Sequence, residues 1–246
     1  MMHVWGVTDI GLVRKENQDA YLVRERTESG HTICVVCDGM GGAAGGQLAS
    51  KIATETFTSE LEKVLTQEMT SEQLIAASSY AVALANEAIE AAACEKEEYQ
   101  NMGTTLVAAV SYEDGVVVTN VGDSRAYHIT PNGITRISKD HSLVERMVDL
   151  GNITAEEARH HPNRNLITRA LGPDPVAECD GYITPLLPGE FLLLCTDGLI
   201  DTVTDQEMLF EVIHGGGIDS CLERLMEIAK SQGAPDNVTA VLMQKL

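Results

Sequence analysis

The stretch TICVVCDGMGGAAGG, residues 32–46, carries most of the information about the fold. It begins with a β-branched, apolar run that is typical of a buried strand, and it continues into a glycine-rich turn. Such a turn suits a loop that cradles the phosphates of a dinucleotide, whereas an aspartate at a strand end suits a metal ligand. The two possibilities need opposite local charges at Asp38, so the rest of the chain has to distinguish between them.

The glycine-rich turn at residues 39–44 matches the dinucleotide pattern G-x-G-x-x-A only in its letters. A dinucleotide-binding fold needs a second parallel strand after the following helix, with an acidic residue at its end. Here a second helical pattern follows the first, and the Asp38 carboxylate before the turn would repel a pyrophosphate. We therefore discount nucleotide binding and interpret the stretch as a tight turn beside a carboxylate.

Composition and charge restrict the classes of partner. The chain has 246 residues and a formal net charge of −20, from 17 basic and 37 acidic residues. Nucleic acids and anionic membranes both require clustered Lys and Arg, so we expect neither as a partner. The first residues show no signal-peptide pattern, and no apolar run has the length of a membrane span. We expect a cytoplasmic protein whose six cysteines are reduced.

Alternation and apolar runs predict a protein of the α+β class. The predicted strands are 2–9, 18–24, 31–37, 103–111, 115–121, 124–129, 178–184, 190–196 and 237–245. Short loops between consecutive strands favour antiparallel pairing, and strands grouped apart from helices favour layered packing. Amphipathic patterns and capping boxes predict the helices at 46–65, at 71–97, after Thr154, after Thr204 and at 219–231. A polar segment at about 140–172, here called the flap segment, is predicted to form a small subdomain.

Aspartates recur where predicted strands begin or end. They are Asp9, Asp38, Asp123, Asp197 and Asp236. Each one alone is better explained as a turn former. Gathered at one rim of a β core, however, their carboxylates would repel one another unless cations neutralised them. A set of oxygen ligands without Cys or His suits Mg²⁺ or Mn²⁺ rather than Zn²⁺.

Arg14, in the stretch TDIGLVRKENQDA, is the candidate for binding an anion. Its planar guanidinium on an acidic rim suits a phosphate, although pairing with Glu16 or Asp19 on the surface would equally explain it. An arginine beside two metal ions suggests in-line displacement at phosphorus by a metal-activated water.

Taken together, these motifs resemble the metal-dependent Ser/Thr protein phosphatases of type 2C, in their compact bacterial form. The resemblance covers essentially the whole chain. Its motifs are TDIGLVRKENQD at 8–19, DGMGG at 38–42, GTT at 103–105, VGDSR at 121–125, DHS at 140–142, TDG at 196–198 and DNVT at 236–239. It implies an antiparallel β-sandwich flanked by helix pairs in four αββα layers. The whole chain, residues 1–246, would be one catalytic domain with a small flap.

The resemblance also implies a set of metal ligands. Asp38 would bridge two ions, and the carbonyl of Gly39 would join the second ion. Asp197 and Asp236 would hold the first ion, and a weaker third ion would lie between Asp123 and Asp197. The expected ions are Mn²⁺ or Mg²⁺.

The same resemblance assigns the remaining site residues. Asp19 would act on the metal through water, and Arg14 together with Asn237 would bind the substrate phosphate. Arg14 and Asp38 are the residues expected to be catalytic. Met40 stands where some members carry a histidine proposed as general acid, so the source of the leaving-group proton stays open.

The implied function is hydrolysis of phosphoserine and phosphothreonine in proteins, by a monomer that opposes a bacterial Ser/Thr kinase. Two alternatives remain open at this stage. One is a phosphatase of anti-sigma-factor antagonist proteins, and the other is a non-catalytic module of the same fold that binds phosphoproteins.

Overall fold

Two antiparallel β-sheets form the centre of the computed structural model, which describes residues 1–25 and 27–246. The strands are β1 (Met2–Asp9), β2 (Asp19–Arg24), β3 (Ile33–Met40), β4 (Gly103–Thr104), β5 (Leu106–Ser111), β6 (Gly115–Val121), β7 (Arg125–Thr130), β8 (Gly133–Arg136), β9 (Asp180–Pro185), β10 (Phe191–Cys195) and β11 (Val238–Lys245). One sheet has the strand order β1-β11-β10-β7-β8. The other has the order β2-β3-β5-β6-β9, with β4 paired to β3.

Helices cover the outer face of each sheet. They are α1 (Ala43–Val64) and α2 (Ser71–Ala93) on one side and α5 (Asp197–Ile200), α6 (Asp205–His214) and α7 (Ile218–Ser231) on the other, while α3 (Leu143–Asp149) and α4 (Ala155–Arg159) lie outside these layers. One apolar cluster joins α1 and α2 to the sheet that contains β3, and another joins α5, α6 and α7 to the sheet that contains β11. A third cluster fills the space between the two sheets. The molecule therefore has the four αββα layers that the resemblance implies, and the α+β class that the sequence pattern predicts is confirmed.

Strand β3 shows why its sequence is continuously apolar. Ile33, Val35 and Cys37 pack against the helices, whereas Cys34 and Val36 pack between the sheets. Side chains alternate across a strand, so a strand with both faces buried has to be apolar at every position. The run ends at the rim of the sheet, where the chain turns into α1.

Four elements differ from the sequence-based expectation. The strand predicted over 103–111 is interrupted at Thr105, because the Thr105 amide and hydroxyl bond the backbone of Asp38 instead of continuing the ladder. The short elements β8 and α5 have too few residues to show periodicity. The helix predicted over 71–97 ends at Ala93 and is followed by one 3₁₀ turn at Glu97–Tyr99.

The flap segment contains α3 and α4. The capping box predicted at Thr154 is present, with hydrogen bonds in both directions between Thr154 and Glu157. One isolated bridge, between Ser142 and Ile167, joins the two ends of the segment to each other, and another, between Thr104 and Leu171, ties the segment to β4. The second half of the segment therefore lies at one end of the sandwich. In the described ranges, none of the helices combines the length and apolarity needed to cross a membrane.

Candidate active site

A cleft of about 520 Å³ opens at this end of the sandwich. The strand register explains its position: β2 begins opposite the end of β3, with Asp19 paired to Asp38. Likewise β11 begins where β10 ends, and the pairing of Cys195 with Ala240 places Asp197 and Asp236 at the same rim. The cleft is lined by Arg14, Asp38, Gly39, Asp123, Asp197, Asp236 and Asn237, among others.

Of the predicted site residues, Asp19 alone does not line the cleft; it lies just beneath it, 8% exposed. We call Asp19, Asp38, Asp123, Asp197 and Asp236 the carboxylate rim. Asp9, which the sequence grouped with them, lies elsewhere: it forms an ion pair with Lys230 and accepts a hydrogen bond from the Gly11 amide. The remaining aspartates are brought together as expected.

Threonines fix the backbone that carries Asp38. The Asp38 amide donates to Thr105 Oγ1 at 2.9 Å, and its carbonyl accepts from the Thr105 amide and from Thr104 Oγ1, each at 2.9 Å. Thr105 Oγ1 is in turn bonded to Ser124 Oγ at 2.7 Å. Because these partners satisfy the backbone polar groups of Asp38, its backbone is held in one position, and its carboxylate is directed into the cleft from there.

Gly39 has to be a glycine because the chain is crowded around it. A Cβ at this position would collide with the carbonyl oxygen of Gly46 and would lie 2.6 Å from that of Gln18. The Gly39 amide donates to the Gln18 carbonyl at 3.2 Å. The close approach brings the start of α1, the end of β3 and the start of β2 together under the cleft.

Burial and mutual repulsion raise the pKa of four rim carboxyls, those of Asp19, Asp38, Asp123 and Asp197. Burial is the largest cause at every one, followed at Asp38 by the charges of Asp19 and Asp197, and the pKa of Asp38 lies well above its ordinary value. The pKa of Asp19 rises to about 7 although hydrogen bonds from threonine hydroxyls oppose the rise. The pKa of Asp197 rises to about 6, through burial and the charge of Asp236. The pKa of Asp123 is also raised well above normal, by burial and then by Asp197.

Two oxygens of the rim have no hydrogen-bond partner. Asp19 Oδ2 accepts from Thr196 Oγ1 at 2.9 Å, but Asp19 Oδ1 and Asp197 Oδ1 are buried and unsatisfied. Unpaired buried carboxylate oxygens are costly, and hard divalent cations take oxygen ligands. The donor set therefore fits Mg²⁺ or Mn²⁺. No three His, Cys, Asp or Glu side chains of the described chain form a ready-made cation site, so the rim would have to turn toward a bound ion.

Arg14 is paired with a rim carboxylate. Its Nη2 donates to Asp236 Oδ2 at 2.6 Å, and this hydrogen bond is the main reason that the pKa of Arg14 is raised. The pairing with Glu16 or Asp19 that the sequence left open is not the one observed. The Arg14 side chain is 53% exposed and borders the cleft, so it lies within reach of an anion there.

Asn237 lines the cleft, but its amide is fully engaged by the backbone. Nδ2 donates to the carbonyls of Ile10 at 2.9 Å and Glu16 at 3.0 Å, and Oδ1 accepts from the Gln18 amide at 2.9 Å. The side chain is buried, with 4% exposed. Neither N–H of the amide points to the cleft, so this arrangement differs from the phosphate-binding role expected from the resemblance.

Sequence reasoning missed the side of the cleft that the flap segment provides. Asn165 and Ile167 line the cleft, and no periodicity or motif singles them out. Met40 lines it as well, whereas none of the histidines in the described ranges does. His141 is buried: its Nδ1 accepts from the Gly122 amide at 3.1 Å, and its Nε2 lies 3.2 Å from Asp180 Oδ2.

Known proteins resemble this chain over nearly its full length. The family model described as Protein phosphatase 2C matches residues 13–243. The Serine/threonine phosphatase stp of Listeria welshimeri is 34% identical over 244 residues, which are 99% of this chain and 96% of that protein. PstP of Mycobacterium tuberculosis is 35% identical over 96% of this chain but 43% of its own length. The crystal structure of Stp1 from Staphylococcus aureus, 36% identical, has a TM-score of 0.93 and covers 100% of this chain and 96% of that one.

These matches agree with the class of enzyme that the four-layer fold and the aspartate-lined cleft define. The chain belongs to the protein phosphatase 2C family. The family is metal-dependent in general.

Replacing the central carboxylate should stabilise the metal-free protein. The folded-state pKa of Asp38 is raised well above normal, and those of Asp19 and Asp197 are raised to about 7 and about 6. The stability that these groups contribute is therefore complete below the unfolded carboxyl range and is lost progressively as pH rises through the raised values. We expect Asp38→Asn in EDTA at pH 8 to melt about 2–8 °C above wild type, for a gain of about 1–2 kcal/mol in a domain of this size. Melting curves by circular dichroism provide the measurement.

At pH 5 the difference between the two proteins should shrink toward zero, and Mn²⁺ at pH 8 should stabilise wild type more than Asp38→Asn. Equal melting temperatures in EDTA at both pH values would contradict the repulsion that we describe.

Proposed function

We propose that this protein hydrolyses phosphoserine and phosphothreonine in proteins, as the named members of its family do. The observation that carries the proposal is the cleft itself, in which Arg14 borders a rim of carboxylates with unsatisfied, buried oxygens. A phosphate dianion alone would be repelled by this rim, so the cleft is suited to a phosphate that arrives together with cations. All the rim aspartates are retained, which is why we do not favour a non-catalytic binding module.

The residues that would hold the cations are those of the rim. Asp38 would bridge two ions, with the Gly39 carbonyl on one of them and Asp197 and Asp236 on the other. Asp123, which also lines the cleft, would hold a weaker third ion together with Asp197, and Asp19 would contribute through water. When bound, Mn²⁺ or Mg²⁺ would neutralise the rim and supply a water of lowered pKa for attack on phosphorus.

Arg14 and the flap segment would handle the substrate. Arg14 has five N–H donors, and moving from Asp236 to two phosphate oxygens would let it bind the phosphate as a planar fork. Asn165 and Ile167 of the flap segment also line the cleft and would contact the polypeptide that carries the phosphate. Because no histidine of the described chain lines the cleft, we take water as the source of the proton for a serine or threonine leaving group.

We further propose that residues 1–246 act as one catalytic domain, with the flap segment as a substrate-facing part of it. The partners would be phosphorylated proteins, including a Ser/Thr kinase, and the enzyme would act as a monomer. The cytoplasm is the compartment that suits six free cysteines, several of them buried in the strands of the sandwich. Nothing in the cleft favours anti-sigma-factor antagonists as a separate substrate class.

Hydrolysis of a phosphothreonine peptide tests the proposed function directly. We expect release of phosphate with Mn²⁺ or Mg²⁺, and a fall of at least about 100-fold in EDTA because the nucleophile loses its activation. Adding back excess Mn²⁺ should restore the rate. Full activity after chelation, or tight binding of the peptide without turnover in Mn²⁺, would contradict the proposal.

Arg14→Gln tests the phosphate contact. Hydrogen bonds to charged groups contribute about 1.5–3 kcal/mol, so we expect kcat/KM to fall by roughly 10- to 100-fold, mostly through KM. Steady-state kinetics on the same peptide provide the measurement.

Lys15→Gln is the matched control for Arg14→Gln. It removes the same charge from a residue that also lines the cleft, but Lys15 has no hydrogen bond to Asp236 among the contacts of the described chain. Its effect on KM should be at least about threefold smaller if contact rather than long-range charge matters. Equal effects of the two variants on KM would mean that Arg14 acts only through its long-range charge and not through direct contact with the phosphate.

A further inference from the structure

The Arg14 loop, residues 10–18, connects β1 to β2 without regular secondary structure. Its apolar side chains do not bury themselves: Leu12 is 61% exposed and Val13 is 67% exposed. A loop without a core of its own has to be positioned by polar contacts from elsewhere. Those contacts come largely from the turn at residues 234–237, which precedes β11.

Asn237 makes three of those contacts. Its single amide group bonds the carbonyl of Ile10 at the start of the loop, the carbonyl of Glu16 after Arg14, and the amide of Gln18 at the end. The two ends and the middle of the loop are thereby joined at one buried point. A further hydrogen bond joins the loop to the same turn: the Leu12 amide donates to the Ala234 carbonyl at 2.9 Å.

Asp236 and Gly11 show how closely the Arg14 loop packs against the turn at residues 234–237. Asp236, directly before Asn237, accepts the 2.6 Å hydrogen bond from Arg14. Gly11 has a φ of +78°, and a Cβ there would collide with the carbonyl oxygen of Asp236. The loop and the turn are therefore packed backbone to backbone, with the phosphate-binding candidate and a rim carboxylate facing each other across the contact.

We propose that Asn237 is a positioning residue: by fixing the Arg14 loop, it holds the Arg14 side chain beside the phosphate site. This inference rests on the proposed function. Both ends of its amide are needed, because two carbonyls require a donor and one amide requires an acceptor. Aspartate keeps the acceptor but presents an oxygen to the two carbonyls. Serine and alanine reach neither.

A buried asparagine elsewhere in the chain provides a matched control. Asn86 on α2 is 3% exposed, accepts from the Gly172 amide at 2.7 Å, and donates to the Asp174 carbonyl and to Glu90 Oε1, each at 2.9 Å. It thus makes the same number of hydrogen bonds as Asn237, and two of them hold another loop. It does not line the cleft.

The experiment compares Asn237→Ala with Asn86→Ala in the Mn²⁺-loaded enzyme, by hydrogen exchange and by inhibition with inorganic phosphate. For Asn237→Ala we expect amides of residues 10–18 to exchange at least about tenfold faster, since lost hydrogen bonds lower the opening free energy. The inhibition constant of phosphate should rise by about five- to tenfold while kcat changes less than about threefold. Asn86→Ala should leave the exchange of residues 10–18 and the phosphate inhibition constant near wild type, even if it lowers the melting temperature as much as Asn237→Ala does.

A double variant distinguishes positioning from general stability. If Asn237 acts through Arg14, then Asn237→Ala should not raise the phosphate inhibition constant further in an Arg14→Gln background. A full additional rise there, or unchanged exchange of residues 10–18 in the single variant, would overturn the proposal. If Asn237→Ala does not fold, Asn237→Asp is used with the same expected directions. If wild type shows no Mn²⁺-dependent inhibition by phosphate, the proposed function fails, while the exchange comparison still tests whether Asn237 holds the loop.

Discussion

Mutual repulsion among the aspartates of the carboxylate rim is the constraint on which the rest of the structure depends. The antiparallel sheets bring Asp19, Asp38, Asp123, Asp197 and Asp236 to one end of the sandwich. Burial disfavours the charged form of the first four of these carboxyls and raises the pKa of each. One arginine, Arg14, pairs with one of them. The apolar clusters between and outside the sheets have to outweigh this repulsion when no cation is present.

The polar residues around the rim hold the carboxylates without neutralising them. Thr104 and Thr105 bond the backbone of Asp38, and Thr196 bonds a single oxygen of Asp19. Hydroxyls and amides carry no charge, so the rim keeps its attraction for divalent cations while its geometry is restricted. The amide of Asn237 does the same for the loop that carries Arg14.

Much of this arrangement follows from the sequence. The apolar run in TICVVCDG predicts a strand buried on both faces, and the recurrence of aspartates at strand ends predicts their convergence, because strand ends share a rim. The interruption of the strand at Thr105 was not predictable in this way, since it depends on hydrogen bonds to a residue 67 positions away. The orientation of the Asn237 amide could not be predicted for the same reason, because its partners lie on a loop more than 200 residues away in the sequence. Asn165 lines the cleft because the flap segment closes on itself through the Ser142–Ile167 bridge and is tied to β4 through the Thr104–Leu171 bridge, contacts that no local pattern predicts.

The central claim is that the carboxylate rim binds divalent cations that bridge through Asp38. Anomalous diffraction from crystals grown with Mn²⁺, recorded near the manganese absorption edge, tests it most directly. We expect at least two anomalous peaks in the cleft, one pair of them joined by the Asp38 carboxylate, with Asp197 and Asp236 turned toward one ion and the Gly39 carbonyl toward the other. A cleft without anomalous peaks, or manganese bound only at surface carboxylates such as Asp9, would contradict the claim.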